Sequence, residues 1–269
     1  MELSFYPYSL KPVHKLNTTA RQGLREGVLL KVKNKTGAIG YADLHPWAEF
    51  GDRPWVEQLQ DCQSGRISEQ LACSLEAAAW DAQLRLQKRH IFEEGLPVEN
   101  NFLISDLSAV SEEKLKQAWQ SGYRVVKLKA GHSAIEEIRM VQILAEMGFQ
   151  IRLDFNAAGT WSDFQAFMEA LPAGVCGAIE YVEDPFPYEW ESWNEARRWV
   201  RLALDNEVTK VKWDEVLVAA WDVLILKPAK MSVEKAVQRS EKLGTLVAVT
   251  SYMDHPLGVM HALGVAMKL

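Results

Sequence analysis

VVKLKAG at 125–131, IRLDFNAAGTW at 151–161 and YVEDPF at 181–186 share one form, a short apolar run that closes on charged side chains. The form recurs as LALDNE at 202–207 and LILKPAK at 224–230; LVAVTS at 246–251 closes on hydroxyl side chains instead, and FLIS at 102–105 precedes them all. Helix-length segments separate the runs. Short apolar runs alternating with helical segments specify parallel strands joined by crossover helices. Lys127, Asp154, Glu183, Asp205, Lys227 and Ser251 follow one another at intervals of 27, 29, 22, 22 and 24 residues, about one βα unit each. The expected fold is α/β, with a modified, TIM-like (β/α) barrel.

Upstream the pattern changes. GVLLKVKN at 27–34 and GAIGYADL at 37–44 alternate in the manner of strands, and Lys35 and Thr36 between them are a hairpin-sized link. From Ser68 to Gln87 apolar residues recur at helical intervals, with Ser68 as N-cap. These elements predict a small α+β domain over residues 1–98. Gly95 and Pro97 interrupt the pattern before the apolar run at Phe102, so the barrel is expected over residues 99–269.

The chain has 269 residues, 48% of them hydrophobic and 25% charged, enough to bury a full core in an ordinary soluble protein. Its net charge of -6 supplies no basic field for a nucleic acid partner. MELSFYPYSLKPVHK at the start has no basic segment leading into an apolar one, and no run of about 18 apolar residues occurs. A cytoplasmic protein with no membrane partner is expected. Cys62, Cys73 and Cys176 lack zinc-type spacing and are odd in number, so they are read as reduced thiols. Trp190, Trp193, Trp199, Trp213 and Trp221 are read as core packing. No P-loop, dinucleotide fingerprint, zinc-type histidine spacing or nucleophile elbow is present.

In a (β/α) barrel the reacting groups sit where strands end. Taken singly, an Asp after a strand is more often a helix cap or a solvated loop residue. Taken together, Asp154, Glu183 and Asp205 converge from three consecutive strand ends, and three carboxylates stay ionised together only beside a cation. All-oxygen ligation suits magnesium, with manganese as the substitute. Lys127 and Lys129 are two apart on a strand and share a face, and Lys227 approaches from the opposite wall. A lysine among cations in a partly apolar site becomes a base near neutral pH. The set reads as proton abstraction.

VVKLKAG, IRLDFNAAGTW, YVEDPF, LALDNE and LILKPAK resemble, in order, the signature segments of the enolase superfamily. Among its branches the sequence is most similar to the o-succinylbenzoate synthases of menaquinone biosynthesis. The resemblance runs from about residue 15 to 260, and RQGLREGVLLKV at 21–32 matches the capping-domain loop region. It implies an N-terminal capping domain and a metal held by Asp154, Glu183 and Asp205. It makes Lys129 the general base and Lys227 an electrostatic partner of the enolate, with Lys127 tuning the base or touching the substrate carboxylate. The reaction implied is magnesium-dependent syn-dehydration of 2-succinyl-6-hydroxy-2,4-cyclohexadiene-1-carboxylate through a metal-stabilised enediolate.

Asn156, Ser251, Asp254, Arg21 and Arg25 are the implied substrate contacts, with the loop around Arg21 to Arg25 closing over the substrate. TSYMDHPLG at 250–258 departs from relatives, placing Asp254 and His255 where other contacts are usual. Glu207 is an alternative third ligand. Leu269 falls during or soon after the seventh helix, so no eighth strand is expected. Two other readings share the scaffold: an N-acylamino acid racemase or dipeptide epimerase, with Lys129 and Lys227 on opposite faces of the substrate carbon, and a non-catalytic binding barrel.

Overall fold

The computed structural model describes residues 2–12, 23–93 and 95–269. The chain begins with β1 (Glu2–Leu10), β2 (Arg25–Lys33) and β3 (Ile39–Leu44), an antiparallel sheet in the order β1-β2-β3. Val28, Leu30 and Val32 alternate along β2 and are buried, as a half-buried strand requires. In the turn that follows, the Asn34 side-chain oxygen accepts from the N–H groups of Thr36 and Ala38 at 2.9 and 3.0 Å. Gly37 there has φ +86°, which a side chain would disfavour. Two helices follow, α1 (Trp55–Gln63) and α2 (Glu69–Leu86). Ser68 caps the second, its hydroxyl accepting from Leu71 N–H at 3.2 Å. Leu71, Ala77 and Ala78 of α2 pack with Val28, Leu30 and Leu44 in one apolar cluster. Strand β1 carries no alternation in the sequence: as an edge strand with Pro7 and mostly exposed side chains, it has little to alternate.

The remaining elements are β4 (Asn101–Ile104), α3 (Glu112–Gln120), β5 (Val125–Lys129), α4 (Ala134–Glu146), β6 (Gln150–Asp154) and α5 (Trp161–Ala170). They continue with β7 (Ile179–Glu183), α6 (Trp190–Ala196), β8 (Leu202–Leu204), β9 (Val223–Leu226), α7 (Val233–Leu243), β10 (Leu246–Val249) and α8 (Pro256–Ala266). Strands β4 to β10 form a seven-stranded sheet in sequential order, and the strands from β4 to β9 pair in parallel. This is the α/β alternation read from the sequence, with strand bounds within a residue or two of the apolar runs. Thr160 starts α5 with a capping box to Asp163. Between β8 and β9 the crossover holds only a 3-10 helix, Asn206–Lys210, among the described residues.

The chain divides into two compact units, residues 1–98 with 226–237 and 248–269, and residues 99–225 with 238–247. No helix among the described residues is long and apolar enough to cross a membrane. Cys62, Cys73 and Cys176 are all free thiols. Trp193 and Trp221 are core residues, but Trp190 and Trp199 are 41% and 37% exposed, against the expectation that all are core. An indole can lie at a surface when its N–H is satisfied. That of Trp190 donates to the Val218 carbonyl at 3.0 Å.

Candidate active site

Parallel pairing sets the geometry of the second unit. Lys129 is in register with Asp154, and Asp154 with Glu183, so the last residues of β5, β6 and β7 stand side by side. Val126 and Leu128 are fully buried on the opposite side of β5 from Lys127 and Lys129. Asp205 immediately follows β8. Asp154, Glu183 and Asp205 are all buried.

Two ammonium groups offset part of the charge of this cluster. Lys127 Nζ stands between two carboxylates, 2.8 Å from Asp154 Oδ2 and 2.5 Å from Glu183 Oε2. Lys129 Nζ donates to Asp154 Oδ2 at 2.5 Å and to Asn156 Oδ1 at 3.3 Å. Burial disfavours the charge on Lys127, but Asp154, Glu183 and Asp205 outweigh it and raise its pKa well above the usual value. Burial pushes Asp154 upward, yet Lys127 and Lys129 hold it well below the ordinary carboxylate range. Glu183 is pushed up to about 7 by burial and by Asp154 and Asp205, against the pull of Lys127.

The donor chemistry fits a hard divalent cation: three buried carboxylates supply only oxygen. Among the described residues, no three His, Cys, Asp or Glu side chains are grouped so as to hold an ion as they stand. Lys127 is the positive charge that fills the interval between two of the three. Asn156 has φ +49°, and its N–H donates to Asp154 Oδ1 at 3.1 Å. Its buried side-chain Nδ2 has no acceptor, a donor that an added oxygen ligand would satisfy.

Asp184, Glu207 and Glu137 serve the backbone of this unit. Asp184 accepts from the N–H groups of Asp205, Asn206 and Glu207 at 2.9, 2.7 and 3.3 Å. It thereby fixes the start of the 3-10 helix that stands where a longer crossover helix is expected. Burial and the neighbouring Asp205 raise the Asp184 pKa well above the usual value. Glu207 accepts from Tyr188 N–H at 2.6 Å and pairs with Lys210 at 2.8 Å. Glu137, buried on α4, accepts from the N–H groups of Gly131, His132 and Ser133 at 3.1, 2.8 and 3.0 Å. That closes the loop that leaves Lys129. Sequence reasoning misses both Asp184 and Glu137. The one visible signal is the second acid in YVEDPF for Asp184 and the place four residues after Ser133 for Glu137.

The other residues expected at the site belong to the first unit. Lys227 follows β9 and its Nζ lies 5.7 Å from the Tyr252 ring. Tyr252 donates through its hydroxyl to Asp52 at 2.9 Å, and Asp52 pairs with Lys230 at 3.1 Å. Ser251 is half-buried. Asp254 is buried and accepts from Tyr252 N–H at 3.2 Å, and burial pushes its pKa up to about 6. Arg25 opens β2, half-buried over the Trp47 ring. Arg21 lies outside the described residues.

The sequence matches the family described as O-succinylbenzoate synthase, N-terminal domain, over residues 3–84. It matches Enolase C-terminal domain-like over residues 111–268. An o-succinylbenzoate synthase of Bdellovibrio bacteriovorus is 46% identical over 269 residues, all of this chain and 82% of that protein. The solved o-succinylbenzoate synthase of Thermosynechococcus elongatus BP-1, complexed with Mg in its active site, aligns with a TM-score of 0.71 at 22% identity, covering 99% of this chain and 88% of that one. A mandelate racemase/muconate lactonizing protein from Herpetosiphon aurantiacus aligns with a TM-score of 0.78 at 17% identity, covering 99% and 85%. At these identities the two solved structures bear on fold alone.

Proposed function

The chain belongs to the o-succinylbenzoate synthase family of the enolase superfamily, and on that premise we propose that it dehydrates 2-succinyl-6-hydroxy-2,4-cyclohexadiene-1-carboxylate to o-succinylbenzoate with Lys129 as its proton carrier. The product serves menaquinone biosynthesis. The observation that carries the reading is the register of Lys129, Asp154 and Glu183 at adjacent strand ends.

Lys129 Nζ takes the proton from the carbon next to the substrate carboxylate and returns it to the departing hydroxyl. One C–H bond and one C–O bond break, water leaves, and the ring becomes aromatic. One group can serve both transfers because proton and hydroxyl leave from the same face. The Asp154 carboxylate, 2.5 Å away, holds Nζ in place for both. Asp154, Glu183 and Asp205 would hold magnesium, which when bound supplies positive charge to the substrate carboxylate as electron density builds there. Lys127 offsets the repulsion between Asp154 and Glu183, and Lys227 is assigned to the enolate on the family resemblance. Asn156 Nδ2 is the donor offered to a substrate oxygen.

The test is a mixture of protein, the cyclohexadiene carboxylate and magnesium, followed by absorbance beside EDTA and Lys129→Ala controls. Rapid, magnesium-dependent loss is expected, slowed about 10²- to 10⁴-fold or more in the variant. No loss with folded protein would reject this substrate. Solvent deuterium entering an N-succinylamino acid would then move the assignment to racemisation.

A further inference from the structure

We propose that Asp43, Tyr8 and His45 form a hydrogen-bonded relay that sets the orientation of the Arg25 guanidinium for a substrate carboxylate. The proposal rests on the reading of Arg25 as a substrate contact, and adds three positioning residues to it.

The direction of every link is determined by the one before it. Arg25 Nε donates to His45 Nε2 at 3.0 Å. A guanidinium has no acceptor, so His45 Nε2 carries a lone pair and the imidazole proton is on Nδ1. Nδ1 lies 2.7 Å from the Tyr8 hydroxyl, which therefore accepts there. The same hydroxyl donates to Asp43 Oδ1 at 2.6 Å. The second oxygen of Asp43 accepts from His255 N–H at 3.0 Å. The chain has one consistent arrangement of protons.

Its surroundings keep it in that arrangement. Burial, together with Arg25, pushes the His45 pKa down to about 4, so the ring remains a neutral acceptor. Burial and the Asp43 carboxylate raise the Tyr8 pKa and retain the phenol proton. With Nε committed to His45, Nη1 and Nη2 remain outside the relay, and those are the pair with which an arginine grips a carboxylate bidentately.

Gly27 shows that the meeting of Tyr8 and His45 has been given room. It is buried on β2, directly across from Tyr8 in the β1/β2 register. A Cβ on it would collide with the Tyr8 hydroxyl and stand 2.7 Å from His45 Nδ1. A methyl group there drives the central link apart.

Steady-state kinetics on the full chain with magnesium and the cyclohexadiene carboxylate tests this. Arg25→Met is expected to raise KM about tenfold or more, the scale of a lost charged hydrogen bond. His45→Ala and Gly27→Ala should raise KM by about tenfold with kcat within about twofold. His45→Gln, which keeps an acceptor oxygen near the Nε2 position, should return KM toward wild type. His45→Asn, which keeps only the donor to Tyr8, should not. If Arg25→Met leaves KM unchanged, the substrate-contact reading of Arg25 fails and the relay fails with it. If Arg25→Met raises KM while His45→Ala and Gly27→Ala do not, Arg25 keeps its role and the relay is overturned. Equal kinetics for His45→Gln and His45→Asn also overturn it, and that pair decides the matter should His45→Ala not fold.

Discussion

The cluster at the ends of β5, β6 and β7 and the relay through β1, β2 and β3 are both buried and polar, but they are held by different forces. In the first, full charges face each other: Lys127 Nζ is shared by Asp154 and Glu183. In the second, a single guanidinium begins a series of directed donors that passes through a neutral imidazole and a phenol before reaching a carboxylate. Loss of a member from the first leaves a buried charge uncompensated, whereas loss from the second mainly frees an orientation. Stability should therefore be most sensitive in the cluster, and substrate affinity in the relay.

Lys127→Met strikes the ionic construction hardest. Its side chain is 17% exposed and its partners 2%, and removing one member of so buried a pair costs about 3–5 kcal/mol. Denaturant unfolding without magnesium should show that loss. Added magnesium should then raise the melting temperature of the variant more than that of wild type, since bound ligand stabilises by mass action. An equal or smaller rise would mean that Lys127 does not stand in for the cation.

Glu137→Gln is the intermediate case. One carboxylate accepting from three backbone N–H groups becomes an amide with a single acceptor atom, at a cost of about 1–3 kcal/mol. Unchanged unfolding would show that the loop after Lys129 is held by other contacts.

Asp254→Asn has the smallest expected effect below about pH 4, where the wild-type carboxyl is itself protonated in both states, and pH gives it a recognisable form. Asp254 faces Tyr252 N–H and the Arg25 charge, yet burial dominates and its pKa is pushed from 3.8 up to about 6. Between those values the unfolded chain releases a proton that the folded chain retains, so folded stability falls as pH rises. The slope is at most about 1.4 kcal/mol per pH unit. Below about pH 4 the term is fully favourable, and above about pH 6 the loss is complete. The wild type should lose melting temperature relative to Asp254→Asn from about pH 4 to about pH 6, and a difference that stays constant across that range would refute the assignment.

The same contrast explains what can be read from the sequence. Parallel strands deliver equivalent positions at regular intervals, so Lys129, Asp154 and Glu183 stand out as ends of apolar runs. Asp205 and Lys227 do so one residue past theirs. The relay has no interval. Tyr8, Arg25, Gly27, Asp43 and His45 are brought together by antiparallel register, which pairs Tyr8 with Gly27 and Val28 with Leu44, and neither pairing follows from spacing alone. Strand β1 is illegible because an exposed edge strand lacks the alternation that marks a buried one. The missing crossover helix after β8 has a tertiary cause: Asp184, the residue after β7, captures the backbone that would have begun it.

Lys127 also bears on when in its life the protein acquires its fold. Many small metal-binding domains wait for their ion, because nothing else can neutralise the ligands. A chain that carries its own counter-ion between Asp154 and Glu183 can leave the ribosome, collapse and bury its core first, and the magnesium proposed for this site would be collected afterwards. Scarcity of the ion would then leave a reserve of folded, idle enzyme in the cell, ready to resume work when the supply returns, instead of an unfolded chain for proteases to clear.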